Sequence, residues 1–265
     1  MPCGEDAKIP SPDLWGASFQ HDRWTAGGRW CTLVSRCETV LPEIADVYAT
    51  RIPKPVSRLF PEFQWTGADA GVHLTFDDGP HPEWTPRILD MLAENDQKAT
   101  FFCVGENVER FPAIFDRIRA EGHSWGNHTM RHESGWTTGQ LGYLRSYLEC
   151  EAITGSGLFR PPYGRMTRAQ ARAIGSRSRI VMWSLLTGDF DQRRTAEDCL
   201  SATLPHLCPG TIAVLHDSDK SARRTLGLLE GILRHMRESD WKGLALDMPT
   251  QEQAGRFPHI NAPQD

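Results

Sequence analysis

Residues 72–80 read Val72-His73-Leu74-Thr75-Phe76-Asp77-Asp78-Gly79-Pro80. A short, mostly apolar run ends in two acids and a sharp turn. That is how a buried strand with chemistry at its C-terminal end reads. The pattern recurs along the chain. Run 123–126 precedes His128 and His132, and run 158–159 precedes Arg160-Pro161-Pro162-Tyr163. Run 180–183 precedes Asp189 and Asp191, and run 211–215 precedes His216-Asp217. Strand ends that all carry reactive side chains point to an α/β barrel whose active site lies on the C-terminal face.

Between these runs the apolar residues fall at helical spacing. Thr85-Pro86 is read as an N-cap and first helical residue, with Ile88, Leu89 and Leu92 on the inner face. Pro112 opens a helix that stops at Gly122. Leu141, Leu144 and Leu148 mark another helix. Thr167 caps a helix that ends at Gly175, and Thr195 with Asp198 resembles a capping box. Leu226, Leu229, Ile232, Leu233 and Met236 stripe the next, and 244–246 is read as a last short strand. Alternating strands and helices predict parallel strands with helical crossovers. The count falls short of eight units, so the expected fold is α/β, a distorted or incomplete barrel. Residues 70–250 form it. Residues 41–69 are read as a helix and connector packed on it, 1–40 as an N-terminal extension, and 251–265 as a C-terminal tail.

The chain has 265 residues, a net charge of −5 and interspersed charge signs. No basic stripe is visible, so nucleic acid is not an expected partner. No run of about 18 apolar residues occurs, which speaks against a membrane-spanning helix. The first thirty residues lack a basic start followed by an apolar stretch, so a cytoplasmic location is expected. The seven cysteines include no CxxC pair. Reduced thiols are expected, although Cys31 and Cys37 have a spacing that permits a bond.

Carboxylates, imidazoles and one guanidinium suit a metal-assisted hydrolase. His128 and His132 share a face if their segment is helical, and then reach one cation. A strand-end Asp77-Asp78 pair supplies a third ligand. One carboxylate binds the ion and its neighbour faces the open coordination position. The prolines after Arg160 hold that guanidinium and the Tyr163 amide rigidly, the first beside Asp77 and the second toward an oxyanion. His216 is placed to protonate a leaving group, with Asp189 on its second nitrogen. Trp84 and Trp136 are read as loop residues beside the motifs, and Trp183 as a strand residue of the core.

These motifs resemble those of the NodB-homology polysaccharide deacetylases, carbohydrate esterase family 4. Thr75-Phe76-Asp77-Asp78-Gly79-Pro80 looks like that family's hallmark. His128-Thr129-Met130-Arg131-His132 is similar to its His-Ser/Thr-x-x-x-His motif, and Arg160–Tyr163 to its Arg-x-Pro-Tyr/Trp motif. Leu215-His216-Asp217 resembles its last histidine motif. The likeness spans about residues 70–247. It implies a distorted (β/α)7-type barrel and one divalent ion, usually zinc, on Asp78, His128 and His132. Cobalt or nickel also suits such a site. It further implies Asp77 as base, His216 as acid, Arg160 orienting Asp77 and Asp189 pairing with His216. The Tyr163 amide would stabilise the oxyanion, and Val214 would line an acetyl pocket. Pro162 and Trp136 are further candidates for substrate contact.

The family's fourth motif often reads Asp-x-x-Asp-Trp, but this chain has Leu186-Thr187-Gly188-Asp189-Phe190. Leu186 and Phe190 therefore alter the wall facing the sugar. The expected reaction is removal of N-acetyl groups from an acetylated amino sugar or polysaccharide. The alternatives are hydrolysis of small cyclic amides or ureides, and a silent carbohydrate-binding homologue.

Overall fold

The computed structural model describes residues 50–249 apart from Pro53 and Asp69, without the side chains of residues 54–56. The expected N-terminal extension, the C-terminal tail and the Cys31/Cys37 pair lie outside the described residues. Ala49 onward clusters as its own compact unit.

Seven strands form one parallel sheet. They are β1 (His73–Asp77), β2 (Thr100–Cys103), β3 (Ser124–Asn127), β4 (Leu158–Phe159), β5 (Arg179–Ile180), β6 (Leu185–Leu186) and β7 (Ile212–His216). Their order is β5-β4-β3-β2-β1-β7-β6. The sheet curls but does not close, because β5 and β6 are its two free ends. Between the strands lie α2 (Trp84–Glu94), α3 (Gly105–Arg110), α4 (Pro112–Ala120), α5 (Gln140–Thr154), α6 (Arg168–Gly175) and α7 (Ala196–Thr203). The helix α1 (Lys54–Leu59) comes before the sheet and α8 (Ala222–Glu238) after it.

Strand alternation sorts the side chains into two populations. Leu74, Phe76, Phe101, Cys103, Ala213 and Leu215 face outward and share the main core with Leu89 of α2 and Leu229 of α8. Phe102, Leu158, Val181 and Ile212 form a separate inner cluster. Thr75, Asp77, Val214 and His216 alternate with the outward set, so they fall on the inner face at the C-terminal strand ends. The register Asp77↔His216 puts two of the reactive groups side by side across β1 and β7.

The segment before β1 pairs with both free ends of the sheet. Gln64 bonds Ile180 and Met182 on one side, while Thr50 and Ile52 bond Leu186 and Ser184 on the other. Lone strand edges invite unwanted pairing, and this segment occupies them.

Three local expectations change. Thr85 does not cap α2, which begins one residue earlier after Glu83 with no side-chain cap. Its hydroxyl donates instead to the buried Asp217 and accepts from the His81 amide. The run 180–183 is not one strand. It breaks between β5 and β6, and Trp183 is half-buried in the connection. Residues 244–246 make no strand; one bridge, Val72↔Gly243, is all that forms there. Thr167 caps α6 and the Thr195/Asp198 capping box starts α7 as read, and Gln170 completes a second capping box with Thr167. Among the described residues, no helix is long and apolar enough to cross a membrane.

Candidate metal centre and hydrolytic site

Side-chain ligand atoms of Asp78, His128 and His132 lie within 4.8 Å of one another, the one such group among the described residues. The two histidines are not on a helix. His128 follows β3 directly, and the chain then coils through Thr129 and His132, which have φ of 64° and 59°. These left-handed residues fold the loop so that the rings stand 5.1 Å apart. Asp78 has φ of 86° and Tyr163 has φ of 59°. Four of the six described non-glycine residues with positive φ thus lie in this site. Such backbone costs of order 1–3 kcal/mol each and collects where the fold holds functional groups.

The donor set fits a cation. His128 Nδ1 is 2.8 Å from the Arg160 carbonyl, so it carries the proton and leaves Nε2 as a lone pair. Burial pushes the His128 pKa down to about 4 despite the charge of Asp77, which keeps the ring neutral. Nε2 then faces Asp78 Oδ1 at 3.8 Å, acceptor to acceptor. Asp78 Oδ1 is buried without a hydrogen-bond donor, and His132 Nε2 lies 3.1 Å from it. Burial alone would raise the Asp78 pKa, but the imidazoles of His132, His216 and His128 outweigh it and hold the carboxyl well below its usual range. Two imidazole nitrogens and one carboxylate oxygen converging on one point are the donor set that a divalent ion takes.

Behind the ligands, Arg160 is buried with every bond directed. Its Nη1 donates to Asp77 Oδ1 and to Thr75 Oγ1, both at 2.7 Å. Its Nη2 and Nε donate to the carbonyls of Met182 and Val181 at 3.0 and 3.3 Å. The guanidinium lies 4.1 Å over the Phe102 ring. Burial lowers its pKa, and Asp77 works against that. Asp77 is adjacent to the candidate ligand and fixed in orientation by this pair.

On the opposite side, His216 Nδ1 is 2.8 Å from Asp189 Oδ1. The other oxygen of Asp189 accepts the His216 amide and the Thr225 hydroxyl, each at 2.7 Å. Burial opposes protonation of His216, but Asp189 and then Asp78 and Asp77 outweigh it and raise the pKa to about 10. Asp189 therefore holds a cationic imidazole whose Nε2 remains for a ligand. Phe190 rests edge-on against that ring at 5.6 Å. Asp191 is turned aside and pairs with Arg193 at 2.9 Å.

Val214 is buried on β7 opposite Leu186 of β6. Pro162 is buried in the turn after β4. Trp136 and Tyr163 are exposed at the rim, at 65% and 62%. Trp84 is not a free loop aromatic; it opens α2, is buried and donates to Asp219 at 2.8 Å. The structure gives roles to positions that had none in the sequence reading. Thr75 holds Arg160, Thr225 holds Asp189, and Asn107 donates to the Asp78 carbonyl at 2.8 Å. Thr75 had a signal, since it sits two residues before Asp77 and so on the same strand face. Thr225 interrupts the apolar stripe of α8. Asn107 had none.

The family model for polysaccharide deacetylase matches residues 66–177. A peptidoglycan-N-acetylglucosamine deacetylase of Bacillus cereus is 38% identical over 156 residues, 56% of this chain and 56% of that protein. A chitooligosaccharide deacetylase of Azorhizobium caulinodans is 33% identical over 57% of this chain and 76% of its own length. The crystal structure of the Bc1960 peptidoglycan N-acetylglucosamine deacetylase superimposes with a TM-score of 0.68 at 31% identity, over 73% of this chain and 95% of that one. This chain is thus a member of the polysaccharide deacetylase family.

Proposed function

We propose that the protein is a metal-dependent hydrolase that removes N-acetyl groups from an acetylated amino sugar or its polymers. One observation carries the reading. A carboxylate fixed by a buried arginine and a cationic imidazole fixed by a buried carboxylate flank the same three converging ligand atoms. That is a base side and an acid side about one candidate ion. The named activities of the relatives, on peptidoglycan and chito-oligosaccharides, support the substrate class.

A divalent ion held by Asp78, His128 and His132 supplies Lewis acidity for an acyl oxygen and lowers the pKa of water. Zinc suits three protein ligands of this kind, with cobalt and nickel next. Asp77 takes the proton of the water that adds to the acyl carbon. The rigid Pro161-Pro162-Tyr163 turn offers the Tyr163 amide to the developing oxyanion. His216 gives its Nε2 proton to the amine nitrogen as the C–N bond breaks, and acetate and a free amine leave. Val214 and Leu186, paired across β7 and β6, offer the apolar surface for the acetyl methyl.

The test is acetate release after metal stripping and add-back of zinc, cobalt or nickel. N-acetylated chito-oligosaccharides are compared with cyclic ureides. Metal-restored acetate release from the sugars supports the reading. Turnover of the ureides alone, or no turnover with one equivalent of metal bound, overturns it.

A further inference from the structure

The rim of the site carries a charged group that the reaction does not use. The exposed guanidinium of Arg165 lies 5.0 Å over the Trp136 ring and 6.0 Å from the Tyr163 ring. Other arginines have acidic partners: Arg131 pairs with Glu106 and Glu149, and Arg177 with Glu151. Arg165 pairs with no carboxylate among the described residues. Tyr163 in turn places its ring 4.7 Å from that of His132, so Arg165 stands one aromatic ring away from a candidate ligand.

The arrangement is built rather than incidental. The Gly135 amide donates to the Arg165 carbonyl at 3.0 Å, and Gln170 Nε2 donates to the Gly135 carbonyl at 3.1 Å. Gln170 is also the return arm of the α6 capping box. A Cβ on Gly135 would meet the Arg165 carbonyl and Gln170 Oε1 at 2.6 Å, so only glycine lets the two strips of backbone approach. The loop bearing Trp136 and the turn bearing Arg165 are thereby stitched at a fixed offset. Among the described residues, three of the exposed large hydrophobics are aromatic, namely Trp136, Tyr163 and Phe190, and all three rim this site.

We propose that Trp136, Arg165 and Tyr163 form a subsite for a carboxylate-bearing sugar next to the residue that is deacetylated. The aromatic faces take a sugar ring, and the planar guanidinium, braced by them, offers parallel N–H donors to a carboxylate. This rests on the deacetylase reading for the location of the reacting sugar, but recognition of the acid stands on Arg165 alone. It makes an acidic acetylated glycan a better substrate than a neutral one.

Acetate release by the metal-loaded full chain is measured on three substrates. They are an N-acetylated chito-oligosaccharide, a fragment in which N-acetylglucosamine alternates with its lactyl ether, and that fragment with its carboxylates methyl-esterified. Calorimetry on the metal-stripped chain gives Kd for the acid and its ester. The acid is expected to have a KM and a Kd about tenfold below those of the ester. Arg165→Met should erase that ratio through KM, Arg165→Lys should restore part of it, and added salt should narrow it in the wild type only. Equal KM and Kd for acid and ester overturn the subsite. So does an Arg165→Met variant that lowers kcat on all three substrates alike, which marks a structural role. No acetate from any substrate, with the acid still bound in preference to the ester, overturns the deacetylase reading and keeps the subsite.

Discussion

Arg160 shows what a single residue decides here. It has no exposed surface, and its donors go to Asp77, Thr75 and two carbonyls. Removing it leaves Asp77 buried without its ion-pair partner. Arg160→Met is expected to destabilise the fold by about 3–5 kcal/mol in denaturant unfolding, and Arg160→Lys to rescue it poorly because the fork of donors is lost. The two neighbouring acids separate by readout. Asp78→Ala should release the metal, because only two ligands remain; one equivalent of zinc retained would refute the ligand assignment. Asp77→Asn should keep the metal and lower kcat by roughly 10²–10⁴, and wild-type turnover would remove it from its role. His123 gives a test of stability alone. Its ring is buried at the start of β3, accepts the Ala99 amide at 3.1 Å, and has its pKa pushed down to about 4, mainly by burial. The unfolded chain binds a proton near pH 6.5 and the folded chain does not, so stability should fall as pH drops from 6.5 to 4. The gap in unfolding free energy between wild type and His123→Phe should shrink over that window; a constant gap would contradict the assignment.

At the scale of elements, the strands place the chemistry and the loops finish it. β1 and β7 put Asp77 opposite His216, and β4 delivers Arg160 from the far side of the sheet. Neighbouring strands are tuned to that insertion. A Cβ on Gly126 of β3 would sit 2.3 Å from the Phe102 ring, the ring on which Arg160 stacks. Gly126→Val should therefore cost about 1–3 kcal/mol by overpacking and should also slow turnover, because the ring that must shift is the one Arg160 stacks on. Stability loss with unchanged kcat would show that the inner face absorbs the change without disturbing the base side.

For the whole molecule, an open seven-stranded sheet needs its two ends covered, and residues 50–66 cover both. Residues from Ala49 onward form their own compact unit. A chain starting at Ala49 should thus melt cooperatively and bind one metal. A chain starting at Gly67 should lose cooperativity, because the edges of β5 and β6 are left bare. Equal melting of the two would show that the segment is dispensable.

How much was legible follows from range. Periodicity gave most of the strands, the helices that open on a threonine cap and the expectation of an incomplete barrel, because those signals are local; it missed the break between β5 and β6 and placed a strand at 244–246 that does not form. Thr75 could have been read from alternation, and the ligand candidates stood in the motifs. Two further features show why the rest could not be read. The His128–His132 spacing suggests a helix, but the ligands meet through left-handed turns at Thr129 and His132, which only packing around them enforces. Thr85 carries the cap signature and serves Asp217 instead, since a hydroxyl bonds whichever partner the fold brings nearest. The amino-acid order alone determined the strand ends and their reagents. Tertiary structure decided which reagents face each other, because side chains distant in sequence, such as Arg160 and Asp77, come within hydrogen-bond range only when the sheet curls.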